Sequence, residues 1–264
     1  MNADQKNWPV ESAGLYPSIL FHFTDRGGLF GILSSNFKIR YSIERIVGKT
    51  LSKEFGAPMV SFCDLRLSEL KSHMRSYGWY GIGMSKEWAI ENGLNPVYYL
   101  STNADLTDAY LGGVDGLFEH INKIKDADEH TAMSSIYMDF FNACRYMKNY
   151  EGELRRRDGT THPSYRFANE REWRYVPSLS ANFHPFIGKA ELDDPGTKQK
   201  LNQQFDNTPL YFEPKDIRYI IVQHEKERDE IIQHILAVKG KYGDADAQRL
   251  ASRILTAEQI FVDI

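Results

Sequence analysis

The segments with strand character in this sequence are short and unevenly spaced, and helical segments of very different length separate them. Ile19–Thr24 (ILFHFT), Met59–Cys63, Tyr80–Met84, Val97–Leu100, Trp173–Val176 and Ile217–Val222 are rich in β-branched and aromatic residues and bounded by Gly, Pro or Asp. A parallel α/β sheet needs strands and helices in steady alternation, so this order points to an α+β fold around a mixed sheet. In agreement, no GxGxxG follows the first strand and no phosphate-cradling P-loop occurs.

Local punctuation refines the outline. The N-terminal arm as far as Tyr16 is polar and reads as irregular. Thr24 or Asp25 can cap a helix over about Gly28–Ser34, and a strand is expected around Phe37–Tyr41. Asp64 is placed to cap a helix from Leu65 to Arg75. Gly78, Gly81 and Gly83 would let backbones approach closely around the strand at Tyr80, and Ser85 and Gly93 bracket the helix SKEWAIENG. From Asn103 to Tyr150 the pattern is helical with a break near Asp126–His130, which predicts a helical insertion within one domain spanning residues 1–264. Glu151–Ala168 reads as a polar, basic loop. Towards the end, helices are expected over Glu225–Lys239, with Ile231, Ile232, Ile235 and Leu236 facing inward, and over Asp246–Leu255. A last strand is expected over Gln259–Asp263.

Charge and cysteine content exclude several functions. The net charge is −4, so no global basic field would hold a nucleic acid duplex. Cys63 and Cys144 form no spaced metal pair, and His73, His120, His130 and His184 show no ligand spacing, so no metal site is expected. Two lone thiols suit a reducing compartment. The first ten residues carry no signal-peptide pattern, and no run approaches the ~18 apolar residues of a spanning helix. The expected place is the cytoplasm, with no membrane association.

Three segments are similar to landmark segments of the AbiGi-type abortive-infection family, and they occur in that family's order: LFHFTDRGGLFGIL, YGWYGIGMSKEWAIENGLNPVYYL and ANEREWRYVP, together spanning residues 20–177. The resemblance implies phage defence, and the family's description as an antitoxin implies a protein partner, a nucleotidyltransferase-like toxin or another defence subunit. More distantly, the order of residue types resembles the ADP-ribosyltransferase fold, in particular its DarT-like branch. That resemblance implies NAD as substrate. It would place His22 and Thr24 on the first strand, an aromatic at Trp79 or Tyr80 against the nicotinamide, and a catalytic Glu172 with Glu170 as the acceptor-activating member of an ExE pair.

The chemistry behind such a set can be stated from the residues. Breaking a glycosidic bond builds positive charge on the ribose, which a nearby carboxylate stabilises. A neutral histidine can hydrogen-bond a ribose hydroxyl near pH 7. Two carboxylates two residues apart in a strand share a face, and their repulsion would raise one pKa, although Arg171 and Arg174 flank the pair. Arg155, Arg156 and Arg157, with Lys148, Tyr150 and Tyr165 nearby, combine phosphate neutralisation with base stacking, as a single-stranded nucleic acid acceptor would require. Plainer readings stand beside these. Glu172 and Arg174 can be a solvated ion pair, His22 a satisfied core histidine, and the arginine segment a surface loop. An NAD-dependent transferase and a non-catalytic partner-binding protein on a degenerate transferase-like fold therefore both remain open, as does a subunit that uses the Tyr-rich insertion as its interface.

Overall fold

The computed structural model describes residues 17–155, 159–179 and 183–264. The arm as far as Tyr16, and Arg156 and Arg157, lie outside the described residues. In chain order the elements are β1 (Ile19–Thr24), α1 (Arg26–Ser34), β2 (Arg40–Val47), β3 (Ser52–Cys63), α2 (Leu70–Tyr77), β4 (Tyr80–Ser85), α3 (Lys86–Glu91), β5 (Asn95–Pro96) and β6 (Tyr98–Leu100). Then follow α4 (Asp105–Ile121), α5 (Ala127–Asn142), β7 (Met147–Asn149), β8 (Gly152–Arg155), β9 (Thr161–Tyr165) and β10 (Glu172–Tyr175). The chain closes with α6 (Lys189–Asp193), α7 (Pro195–Gln203), β11 (Ile217–Val222), α8 (Arg228–Lys239), α9 (Asp244–Ala251), β12 (Ile254–Thr256) and α10 (Ala257–Asp263).

Eight strands form the central sheet, in the order β12-β11-β4-β1-β3-β10-β5 with β2 paired to β3. Its pairs are antiparallel except β11 with β12, so the sheet is mixed. Alternation along each strand sends residues to two apolar layers. Leu20, Val60, Phe62 and Ile220 meet α1, α3, α8 and α9 on one face. Phe21, Cys63 and Ile221 meet α2 and α10 on the other, and farther along that face Phe55, Ala57 and Met59 meet α4. The helical pair α4–α5 is inserted between the parallel strands β6 and β7. Both cysteines are buried and free.

The phenylalanine rings of β1 explain why β4 reads YGIGMS. Phe21 is paired with Gly83 and Phe23 with Gly81, and an added Cβ at either glycine would lie 2.8 Å from a ring carbon of its partner. Only glycine lets the rings lie across the neighbouring strand. Gly83→Ala should therefore destabilise the protein by about 1–3 kcal/mol. Gly31→Ala, on the exposed side of α1 with nothing within 4 Å of the added carbon, should stabilise it by about 0.5–1 kcal/mol. Urea midpoints for the two variants should move in opposite directions, and a common shift would show that ring contact is not the cause.

Several local expectations change. The strand at Met59–Cys63 begins seven residues earlier, at Ser52, because its outer half pairs with β2 over eight residues. Phe37 makes only a bridge to Leu210, and the strand expected there starts at Arg40. Asp64 does not cap a helix. Its carboxylate pairs with Lys86 at 2.7 Å, a tight turn follows at Leu67–Glu69, and α2 starts at Leu70. The loop expected over Glu151–Ala168 contains the hairpin β8–β9. Leu236 lies on the open side of α8, whereas Ile231 and Ile235 are fully buried. Gln259–Asp263 is helical rather than extended. Thr256 and Gln259 form a reciprocal cap that starts α10 and satisfies its first N–H groups.

Candidate functional site

The sheet opens at its centre. β1 bonds to β3 at a single pair, Phe21 with Cys63, and the β2 ladder begins only at Arg40 with Met59. Between those points β3 pairs with β10 alone. The imidazole of His22 reaches into the gap, with Nδ1 2.8 Å from the Ser61 carbonyl. A carbonyl oxygen only accepts, so Nδ1 carries the proton and Nε2 keeps its lone pair when the ring is neutral. Burial lowers the His22 pKa and the bond to Ser61 opposes that only in part. Phe37 and Phe62 hold the ring at centroid distances of 5.4 and 5.6 Å.

Strand register sets His22 and Glu172 on nominally opposite faces, since Glu172 and Phe21 both stand opposite Cys63. The splay of β1 from β3 nevertheless opens a cavity of about 420 Å³ that both residues line, together with Glu44, Lys148, Glu170 and Tyr77. This size lies within the range of small-molecule pockets. A second cavity, of about 670 Å³, adjoins it through shared walls at His73 and Glu170.

Glu172 is 5% exposed and fully engaged. Its Oε1 accepts from Ser61 Oγ at 2.7 Å and Arg174 Nε at 2.6 Å. Its Oε2 accepts from Lys148 Nζ at 2.7 Å and Arg174 Nη2 at 3.3 Å. Four donors thus occupy the roughly four lone-pair sites of one carboxylate. Its backbone N–H donates to the Tyr99 hydroxyl at 2.8 Å. Arg174, 0% exposed, also donates to Glu44 at 2.8 Å and to the carbonyls of Arg145 and Met147. Burial alone would raise the Glu172 pKa, but Arg174 and Lys148 hold it well below the usual carboxylate range. Burial likewise disfavours charge on Arg174 and Lys148, and the surrounding carboxylates outweigh it and raise both. The pair predicted for Glu172 and Arg174 therefore exists, but it is buried in the sheet and not on a solvated face.

Glu170 does not share a strand with Glu172. It ends a tight turn at Phe167–Glu170, and Arg171 follows in the left-handed region at φ 45°, so the alternation assumed for the pair does not apply. Glu170 is 4% exposed, accepts from the Tyr77 hydroxyl, and lies 3.5 Å from Lys148 Nζ. Arg171 turns away, to the Asp64 carbonyl at 2.6 Å and to Glu69. The pKa rise expected from Glu170–Glu172 repulsion does not occur at Glu172, because Arg174 and Lys148 bond its oxygens directly.

The remaining sequence-predicted residues lie elsewhere. Thr24 faces the N-terminal turn of α1 and does not line the cavity. Trp79 packs on Phe261 at 5.5 Å, and Tyr80 is buried with its hydroxyl donating to Glu227 at 2.6 Å. Neither ring reaches the cavity, whose aromatic lining is Phe21, Phe23, Phe62 and Tyr77. Arg155 is exposed on β8 and paired with Glu153. The sequence places Lys148 in a nucleic-acid patch and not here. It assigns no role to Ser61 and Glu44, nor, beyond the lack of metal-ligand spacing at the histidine, to His73 and Tyr77. The last two had a local signal: they lie four residues apart and share a face of α2, with rings 4.5 Å apart. His73 is largely buried and pushed down to about 3 by burial and then by Lys148, and its Nδ1 has no partner among the described residues. No helix among the described residues is long and apolar enough to cross a membrane.

Comparison with known proteins assigns a family. The family model described as "Putative abortive phage resistance protein AbiGi, antitoxin" matches residues 37–223, well over half of the chain. The chain is also 29% identical over 227 residues to the abortive phage resistance protein AbiGi of Lactococcus lactis subsp. cremoris, covering 80% of this chain and 90% of that protein. No solved structure matches it. The matched region runs from Phe37, ahead of β2, to the end of β11 and so takes in Glu44, Ser61, Lys148, Glu172 and Arg174, the whole ion-paired centre of the sheet: the chain belongs to the AbiGi family of abortive phage resistance proteins.

Proposed function

We propose that this protein acts in abortive phage infection as a non-catalytic, antitoxin-type member that binds and restrains a protein partner in the cytoplasm. The observation that carries this reading is the state of Glu172. A carboxylate that stabilises a ribosyl cation needs a lone pair facing substrate and a pKa matched to its task. Here all its acceptor sites are taken by Ser61, Lys148 and Arg174. The group acts as the anchor of a structural ion lock, and the antitoxin description of the matching family model supports the same view.

A second reading, transfer of ADP-ribose from NAD or hydrolysis of NAD, is favoured by one observation: His22, Glu170 and Glu172 line a single cavity. In that reading Lys148 and Arg174 would have to release Glu172 to face the ribose. Glu170 would then activate the acceptor, His22 would meet a ribose hydroxyl through Nε2, and a single-stranded nucleic acid would approach past Arg155.

Nicotinamide release from NAD by the purified protein separates the two. The expected result is no release above a protein-free blank, with Glu172→Gln lowering the melting temperature. Turnover by the wild-type protein that falls by ~10²-fold in Glu172→Gln at an unchanged melting temperature would overturn the proposal in favour of the transferase.

A further inference from the structure

Helix α5 is sixteen residues long and buries none of them. Its inner side leans on the protein through rings, Tyr137 on Phe118 at 5.5 Å and Phe141 on Phe186 at 4.0 Å. The outward flank of the helix, about a quarter to a third of a turn round from those rings, carries Ile136, 44% exposed, and Phe140, 58% exposed, one turn apart. At about 100° per residue, Asp128, Glu129 and Asp139 fall on that same outer side, and all three are exposed.

The charge on these two helices is one-sided, although the turn that joins them carries the exposed Lys123 and Lys125. Neither α4 nor α5 contains a Lys or Arg. On α4, Lys49 neutralises Asp105 and Lys53 neutralises Asp115, while Asp108 accepts from Thr50 and the Leu51 amide. Those contacts seat α4 on the β2–β3 turn. On α5, the side chains of Asp128, Glu129 and Asp139 have no hydrogen bond or ion pair among the described residues. An apolar pair bordered by unpaired carboxylates selects against two classes of occupant. A nucleic acid would meet like charge. A second copy on a two-fold axis would set these carboxylates against themselves.

Resting on the partner-binding reading above, we infer that the outer face of α5 docks a protein partner of basic surface, with Ile136 and Phe140 as the apolar anchors and Asp128, Glu129 and Asp139 as the charge match. Burial of two large side chains at the centre of a small interface supplies affinity, and the acidic rim supplies orientation and on-rate.

A fluorescein-labelled amphipathic helical peptide of leucine and lysine, with a leucine–glutamate counterpart, probes the face on the full chain. The basic peptide should bind, more weakly as salt rises, and the acidic one should not. Ile136→Ser with Phe140→Ser should weaken binding roughly tenfold or more. Asp128→Lys, Glu129→Lys and Asp139→Lys together should abolish it and admit the acidic peptide. Ile90→Ser, at an exposed position of α3 on the other side of the sheet, should change nothing. Melting temperatures should stay at the wild-type value throughout, since none of these side chains is buried. Failure of the wild-type protein to bind the basic peptide, or equal binding by the α5 variants, overturns the inference. Tagged protein recovered from phage-infected cells then separates this inference from the reading beneath it. A basic partner retained by wild type and lost from both α5 variants supports the inference. Retention by all of them sinks the α5 surface and leaves partner binding standing, and the absence of any partner with wild type sinks both.

Discussion

Replacing Arg174 with methionine should cost the protein about 3–5 kcal/mol of stability, because it leaves buried carboxylates without their shared cation. Arg174 has no exposed surface and bonds Glu172 and Glu44 together. In the variant Glu172 retains Lys148 and Ser61, but Glu44 loses its charge partner, and the carbonyls of Arg145 and Met147 lose donors. For a chain of this size the loss corresponds to a fall in melting temperature on the order of 10 °C. Adding Glu44→Gln and Glu172→Gln to the same protein should recover part of that loss, since the uncompensated charges are then gone. A differential scanning calorimetry trace of Arg174→Met within two or three degrees of wild type would show that the network is not a lock, and the argument against a catalytic Glu172 would lose its footing.

Stability should also decline on mild acidification, starting near pH 6.5 and not near pH 4. His73 is pushed down from 6.5 to about 3, first by burial and then by the Lys148 charge, and burial lowers His22 as well. A histidine whose folded pKa lies below its unfolded value binds more protons when unfolded, so stability rises with pH across the interval between the two values. It is complete above about pH 6.5 and is lost progressively towards pH 3. For His73 alone the loss is roughly 2 kcal/mol by pH 5 and on the order of 3–5 kcal/mol by pH 3. Glu172 acts in the same direction over a lower window. Its folded pKa is depressed, so its contribution is present above the unfolded value near 4.5 and is lost as pH falls below it. Urea midpoints measured from pH 7 to pH 4 should fall steadily, and His73→Phe should flatten the slope between pH 6.5 and pH 5. A flat profile in wild type across that interval would refute the assignment of a buried neutral His73.

Much of the local architecture was legible from sequence because its causes are local. β1, with the Asp25 cap of α1 after it, and Ser85 with Gly93 around α3 are signals of a few residues, and the structure keeps them. The break expected near Asp126–His130 lies just ahead of it, because Asp126 accepts from the Glu129 amide and starts α5 at Ala127. Where partners decide, sequence reading stopped short. β3 is twelve residues long because β2 pairs along its outer half, and β8 and β9 exist because they pair with each other. The end of the chain is helical through a cap at Thr256 that competes with β-forming residues at Ile260 and Val262.

The site shows the same division more sharply. Residue types alone brought forward His22, Glu170 and Glu172, and tertiary structure does gather them at one cavity. What they are there was decided by groups far along the chain. Ser61 lies 39 residues from His22 and 111 from Glu172, while Glu44 is 130 residues from the arginine it pairs with. Sequence patterning could propose an ion pair between Glu172 and Arg174, two residues apart, but not its burial, since burial comes from the elements packed over the strand. The same pair on a solvated face would contribute little and leave the carboxylate free, whereas buried at the centre of the sheet it must be satisfied on every side to exist. The sequence thus determined which charges were present, and only the packing around β3 and β10 decided that they hold one another.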